Sequence, residues 1–98
     1  MNAGHAPLER ALAVSASMLA AARDGRWDNL PGLDAERQPL LHAGHPRDAR
    51  SRELLQQLLA CNGEMLDLAA RARAEVADAL SRHGYAHHAL RTYVDLAR

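Results

Sequence analysis

The chain has no isoleucine, phenylalanine or lysine, a single cysteine, and only four valine and threonine residues together. β-branched and aromatic side chains are the ones that suit a pleated, half-buried surface. Their scarcity excludes a β-sandwich and a doubly wound α/β fold. One cysteine, Cys61, cannot close an internal disulfide, so a stapled mini-domain is excluded too; beside Leu58 and Leu59 it reads as a small buried hydrophobe. Three aromatic residues, Trp27, Tyr85 and Tyr93, are too few for stacking platforms on single-stranded nucleic acid. Twelve arginines balance twelve carboxylates, so the basic excess of a duplex-binding surface is missing. No run approaches the roughly 20 apolar residues of a membrane span.

What is present is narrow. Alanine (21), leucine (16) and arginine (12) supply half of the 98 residues, and these three lead the helix propensity ranking. The expectation is one all-α domain over residues 1–98: a small antiparallel bundle of three helices, one of them long, plus a short C-terminal helix. The first helix is expected over about 7–24. Pro7 suits an opening turn, Leu8, Leu12, Ser15, Leu19 and Ala22 recur at helical spacing, and Gly25 follows where a left-handed cap is tolerated. The run 11–22 has the look of a signal-peptide core, but Glu9 stands where positive charge should dominate, so an amphipathic helix and a cytoplasmic protein are expected.

A second helix is expected over 28–41, with Asp28 as its cap and a kink at Pro39, since an interior proline removes a hydrogen bond and crowds the preceding turn. Residues 43–47 read as a loop, and Asp48 as the cap of a third helix over 49–83. On it Leu55, Leu58, Asn62, Met65, Ala69, Ala72, Val76 and Leu80 share one face, with Asp67, Arg71, Glu75, Asp78 and Arg82 opposite as a solvated row. Gly84 reads as its end, followed by a short fourth helix over 86–97. At about 1.5 Å per residue the first two helices span about 27 and 22 Å, against about 50 Å for the third. They cannot cover its apolar face alone, which points to an interaction protein.

Chemistry is sparse. His42 and His45, and later His83, His87 and His88, have spacings that could ligate zinc, yet glycine and proline interrupt both groups and no second cysteine supports a site; solvated histidines are the expectation. No GxGxxG, GxxxxGK or GxSxG run occurs. The chain therefore reads as no enzyme, with no cofactor and no metal. Two polar residues break the apolar pattern: Asn62 on the long helix and Arg73 three turns on. Each either bonds within the fold or contacts a partner.

The segment Trp27-Asp28-Asn29-Leu30, with Asp34 and Arg37 after it, resembles the second helix of the flagellar export chaperone FliT family. The run Leu58-Leu59-Ala60-Cys61-Asn62, then Leu66, Ala69 and Arg73, is similar to that family's long third helix, and Ala89-Leu90-Arg91-Thr92-Tyr93 to its alanine-rich ending. The resemblance covers about residues 8–94. It implies a chaperone of type III flagellar export that binds the helical C-terminal segment of the filament-cap protein, prevents premature assembly and delivers it to the export apparatus. The export ATPase complex and the flagellar master regulator are further partners it brings into view, together with a homodimer. Direct nucleic-acid binding and membrane insertion are not expected. Laid onto this sequence, the groove would be walled by Leu33, Leu40, Leu41, Leu59, Met65, Leu66, Ala69 and Val76, with Asn62 and Arg73 setting register. The alternatives are a chaperone for hook–filament junction proteins and a self-associating helical protein without cargo.

Overall fold

The computed structural model describes residues 3–96. They form three α-helices, α1 (Ala6–Arg23), α2 (Leu30–His42) and α3 (Ala49–Leu96), with short 3-10 turns at Ala3–His5 and Trp27–Asn29. The all-α expectation, with one dominant helix, is what the structure has. Internal contacts divide the chain into two units, Met1–Leu68 and Ala69–Arg98.

The first unit holds α1, α2 and the opening of α3. Pro7 sits in the first turn of α1, and the helix ends as its sequence predicts. Gly25 takes φ +73°, its N–H donates to the Ala22 carbonyl, and the Arg26 N–H donates to Ala21 at 2.8 Å. This pair of reversed bonds satisfies two terminal carbonyls and requires the left-handed residue that glycine supplies without a Cβ penalty. The apolar side chains of the 11–22 run turn inward: Ala11, Val14, Met18, Leu19, Ala21 and Ala22 are buried.

Asp28 is not the cap of α2. It lies inside the Trp27–Asn29 turn, and α2 starts at Leu30 with Pro31 in its first turn, where the missing N–H is harmless. The helix continues through Pro39 to His42. Pro39 and Ala35, whose carbonyl loses its usual partner four residues on, are both exposed, so water can take the place of the lost bond.

Asp48 does cap α3, its Oδ1 accepting the Ser51 N–H at 2.8 Å. Two apolar clusters then lock the three helices. Leu8 and Ala11 of α1 meet Leu54 and Leu58 of α3, with Leu12, Leu40 and Leu41 against them. Val14, Met18 and Leu19 meet Met65, with Leu30, Leu33, Leu40, Cys61 and Leu68 around them. Ion pairs follow the same order, His5–Asp48, Glu9–Arg50 and Arg23–Glu64. Thus α1 and this part of α3 run the same way, and α2 returns between them.

The second unit is the remainder of α3. The expected break at Gly84 and the separate helix over 86–97 are corrected: the helix is continuous to Leu96, and Ala97 and Arg98 lie outside the described residues. A mid-helix glycine costs about 1 kcal/mol relative to alanine, too little to stop propagation between strong helix formers on both sides. The row Arg71, Glu75, Asp78 and Arg82 is exposed as expected, with Asp78 and Arg82 paired at 3.3 Å.

Candidate functional site

The residues expected to form a groove fall into three environments. Leu33, Leu40 and Leu41 of α2 are half-buried against the core clusters. Met65 belongs to the core outright, packed with Val14, Met18 and Leu19. Leu59 and Leu66 stand open, at 69% and 71% exposure, with Leu55 at 42% beside them. Leu55, Leu59, Asn62 and Leu66 recur at spacings of 4, 3 and 4, one helical face adjacent to the core-facing row Leu54, Leu58, Cys61 and Met65, in which Cys61 is half-buried. In the first unit, α3 therefore presents two apolar rows, one closed by α1 and α2 and one facing solvent. In the second unit, Ala69 is half-buried, and Arg73 and Val76 are exposed.

The polar exception on that face is engaged inside the fold. Asn62 Oδ1 accepts a hydrogen bond from Arg37 Nη1 at 2.8 Å, and the same nitrogen donates to Ser15 Oγ at 3.2 Å. Arg37 also donates from Nη2 and Nε to Asp34 Oδ1, at 2.8 and 3.2 Å. One guanidinium, 8% exposed, thus ties α1, α2 and α3 together between the two apolar clusters. A buried charge survives only when paired and hydrogen-bonded, and the planar fork of arginine reaches all three acceptors without reorienting. Spacing alone placed Arg37 on α2 with no role. The available signal was that Ser15, Arg37 and Asn62 each put a polar group on the inward face of a different helix, a pattern that makes sense only if they meet.

Four of the five histidines singled out by spacing have local contacts. His42 Nδ1 lies 2.8 Å from the Gln38 carbonyl, and His45 Nε2 lies 3.0 Å from that of Leu41; both serve the end of α2. His83 and His87 stack with ring centres 6.4 Å apart. Among the described residues no three metal-ligating side chains converge, and no helix is long and apolar enough to cross a membrane.

His5 Nε2 lies 2.8 Å from Asp48 Oδ2, joining the start of α1 to the cap of α3. The Ser51 backbone N–H, with the Ser51 side chain and His5 adding to it, holds the Asp48 carboxyl below its ordinary value of 3.8.

Comparison with known proteins returned one family. Neither the curated proteins nor the solved structures contained a match. The family described as flagellar protein FliT matches residues 5–95, which takes in all three helices and the arginine cluster that joins them. With that coverage and an all-helical bundle that leaves one apolar row of its long helix open, the chain belongs to the FliT family of flagellar export chaperones.

Proposed function

We propose that this chaperone binds the helical C-terminal segment of the filament-cap protein, keeps it from assembling early in the cytoplasm, and delivers it to the export apparatus, with the export ATPase complex and the flagellar master regulator as further contacts. The observation that carries this reading is the open row of α3. Two leucines about 70% exposed on one face suit an amphipathic helix that lays its own apolar side against them. Leu33, Leu40 and Leu41, half-buried on α2, would add apolar surface to it in this reading. Met65 acts from beneath by holding the helix in place, and Asn62 keeps its register through Arg37. Ala69, Arg73 and Val76, in the second unit, are assigned to cargo by the family resemblance alone.

Light scattering after size exclusion, with and without a C-terminal fragment of the filament-cap protein, tests this. A complex of added mass, lost in Leu59→Asp/Leu66→Asp while helicity and melting temperature hold, is the expected result. No complex with the wild-type chain sinks the cargo assignment, and a hook–filament junction protein fragment is then the next to try.

A homodimer has its own support in the second unit. Val76, Leu80, His83, His87, Leu90 and Val94 recur at 4, 3, 4, 3 and 4, the 3.5-residue period of a supercoiled seam. The four apolar members are 44 to 64% exposed. Light scattering on the free chain reads this directly, as twice the monomer mass.

A further inference from the structure

A shallow concave surface lies in the first unit. The loop after α2 and the first turns of α3 border an open depression of about 520 Å³, lined among others by His45, Arg47, Asp48, Arg52, Leu55 and Leu59. Its chemistry is divided. Leu55 and Leu59 supply an apolar wall, while Arg47 and Arg52 supply positive charge. Neither arginine has an ion-pair partner among the described residues. The nearby charges are already committed: Arg50 to Glu53 at 3.3 Å and Glu9 at 3.8 Å, and Asp48 to His5 and the Ser51 N–H.

One polar atom of the lining, His45 Nδ1, is buried without a hydrogen-bond partner. Because His45 Nε2 faces a carbonyl and must donate to it, Nδ1 of the neutral ring is an acceptor. Buried polar groups are nearly always satisfied, so an acceptor left idle at the edge of an apolar cleft points to a ligand that brings a donor, such as the backbone N–H of a polypeptide.

We infer that this cleft docks an acidic segment of a partner polypeptide, one whose carboxylate meets Arg47 and Arg52 while a neighbouring aliphatic side chain rests on Leu55 and Leu59. Arginine forks pair with carboxylates through two parallel hydrogen bonds. A basic segment would place like charges together at the rim and be rejected. The cleft shares Leu55 and Leu59 with the open row that carries the proposed function, and its occupant is defined by charge as well as by apolar surface; Arg47 and Arg52 lie off that row, so a change in charge preference is read separately from loss of cargo binding.

The test is fluorescence anisotropy on the full chain with a labelled synthetic amphipathic peptide carrying an i,i+4 glutamate pair beside two leucines, and a second peptide with lysines in place of the glutamates. The acidic peptide should bind saturably. Arg47→Glu/Arg52→Glu should weaken it about tenfold at low salt and transfer the preference to the basic peptide, since rim charges set encounter and selectivity. Both arginines are exposed, so the variant retains its core, and circular dichroism verifies this. Leu55→Ser should weaken both peptides. Equal affinity of the acidic peptide for the wild-type and charge-reversed chains overturns the inference, as does absence of saturable binding to the wild type.

Discussion

Between Ala49 and Leu68, α3 carries Leu54, Leu58 and Met65 at 1 to 7% exposure; between Ala69 and Leu96 it carries Val76, Leu80 and Leu90 at 58 to 64%. Both stretches belong to one helix and both are rich in leucine and alanine. The first is held by side chains of α1 and α2 and by the guanidinium of Arg37. The second is held by its own backbone, by alanine propensity, and by pairs such as Asp78–Arg82, each worth a few tenths of a kcal/mol, roughly. An apolar period is enough to make a helix amphipathic, but burial needs a neighbour of the right length. In the first unit α1 and α2 cover one apolar row of α3 and leave the adjacent row, with Leu59 and Leu66, to solvent.

This contrast can be tested from its strongest end. Leu54→Ala should lower the unfolding free energy by about 3 kcal/mol, the usual cost of a core cavity, while Leu80→Ala should change it by less than about 0.5 kcal/mol. Urea titrations of the two variants check this, and equal losses would mean that both stretches are held by tertiary packing. Asn62→Ala comes next. It removes an acceptor from a buried guanidinium and should cost about 1–2 kcal/mol; the Arg37→Met/Asn62→Leu pair should recover part of this, because it removes the buried charge together with its acceptor, and Asp34, partly exposed, keeps Gln38 and water.

Two glycines sharpen the comparison further. A Cβ at Gly63 or at Gly84 would meet no atom within 4 Å, so alanine at either site should gain about 1 kcal/mol of helix stability. At Gly63 the gain should appear in global unfolding. At Gly84 it should appear as slower amide exchange over the local turns, with global unfolding unchanged. Hydrogen exchange followed residue by residue separates the two.

The smallest effect concerns acid. The folded-state pKa of Asp48 is depressed, so its contribution to stability is present above the ordinary value of 3.8 and is lost as pH falls through the folded value. Asp48→Asn should therefore flatten the decline in melting temperature below about pH 3.8 without altering the profile near neutrality.

Much of the bundle was legible from residue order. Pro7 and Gly25 bracket α1, Asp48 opens α3, and the exposed row from Arg71 to Arg82 was readable as solvated. The misreadings share a physical origin. Gly84 and Asp28 carry local signals of about 1 kcal/mol, a break and a cap, and cooperative helix growth or a competing turn outweighs such signals. Met65 shows the limit for the site: it was expected beside Leu66 as a groove wall, yet one residue of offset, about 100° around a helix, separates the core from the open row.

Helix content, the single long element and the excess of apolar surface on it follow from composition and period, since propensity and amphipathicity are properties of neighbouring residues. Which row of α3 is covered, where Arg37 finds its acceptors, and which leucines remain for a partner follow from three helices meeting in space. Burial and hydrogen-bond satisfaction belong to pairs of residues such as Ser15 and Arg37, 22 positions apart, and only packing brings those pairs together.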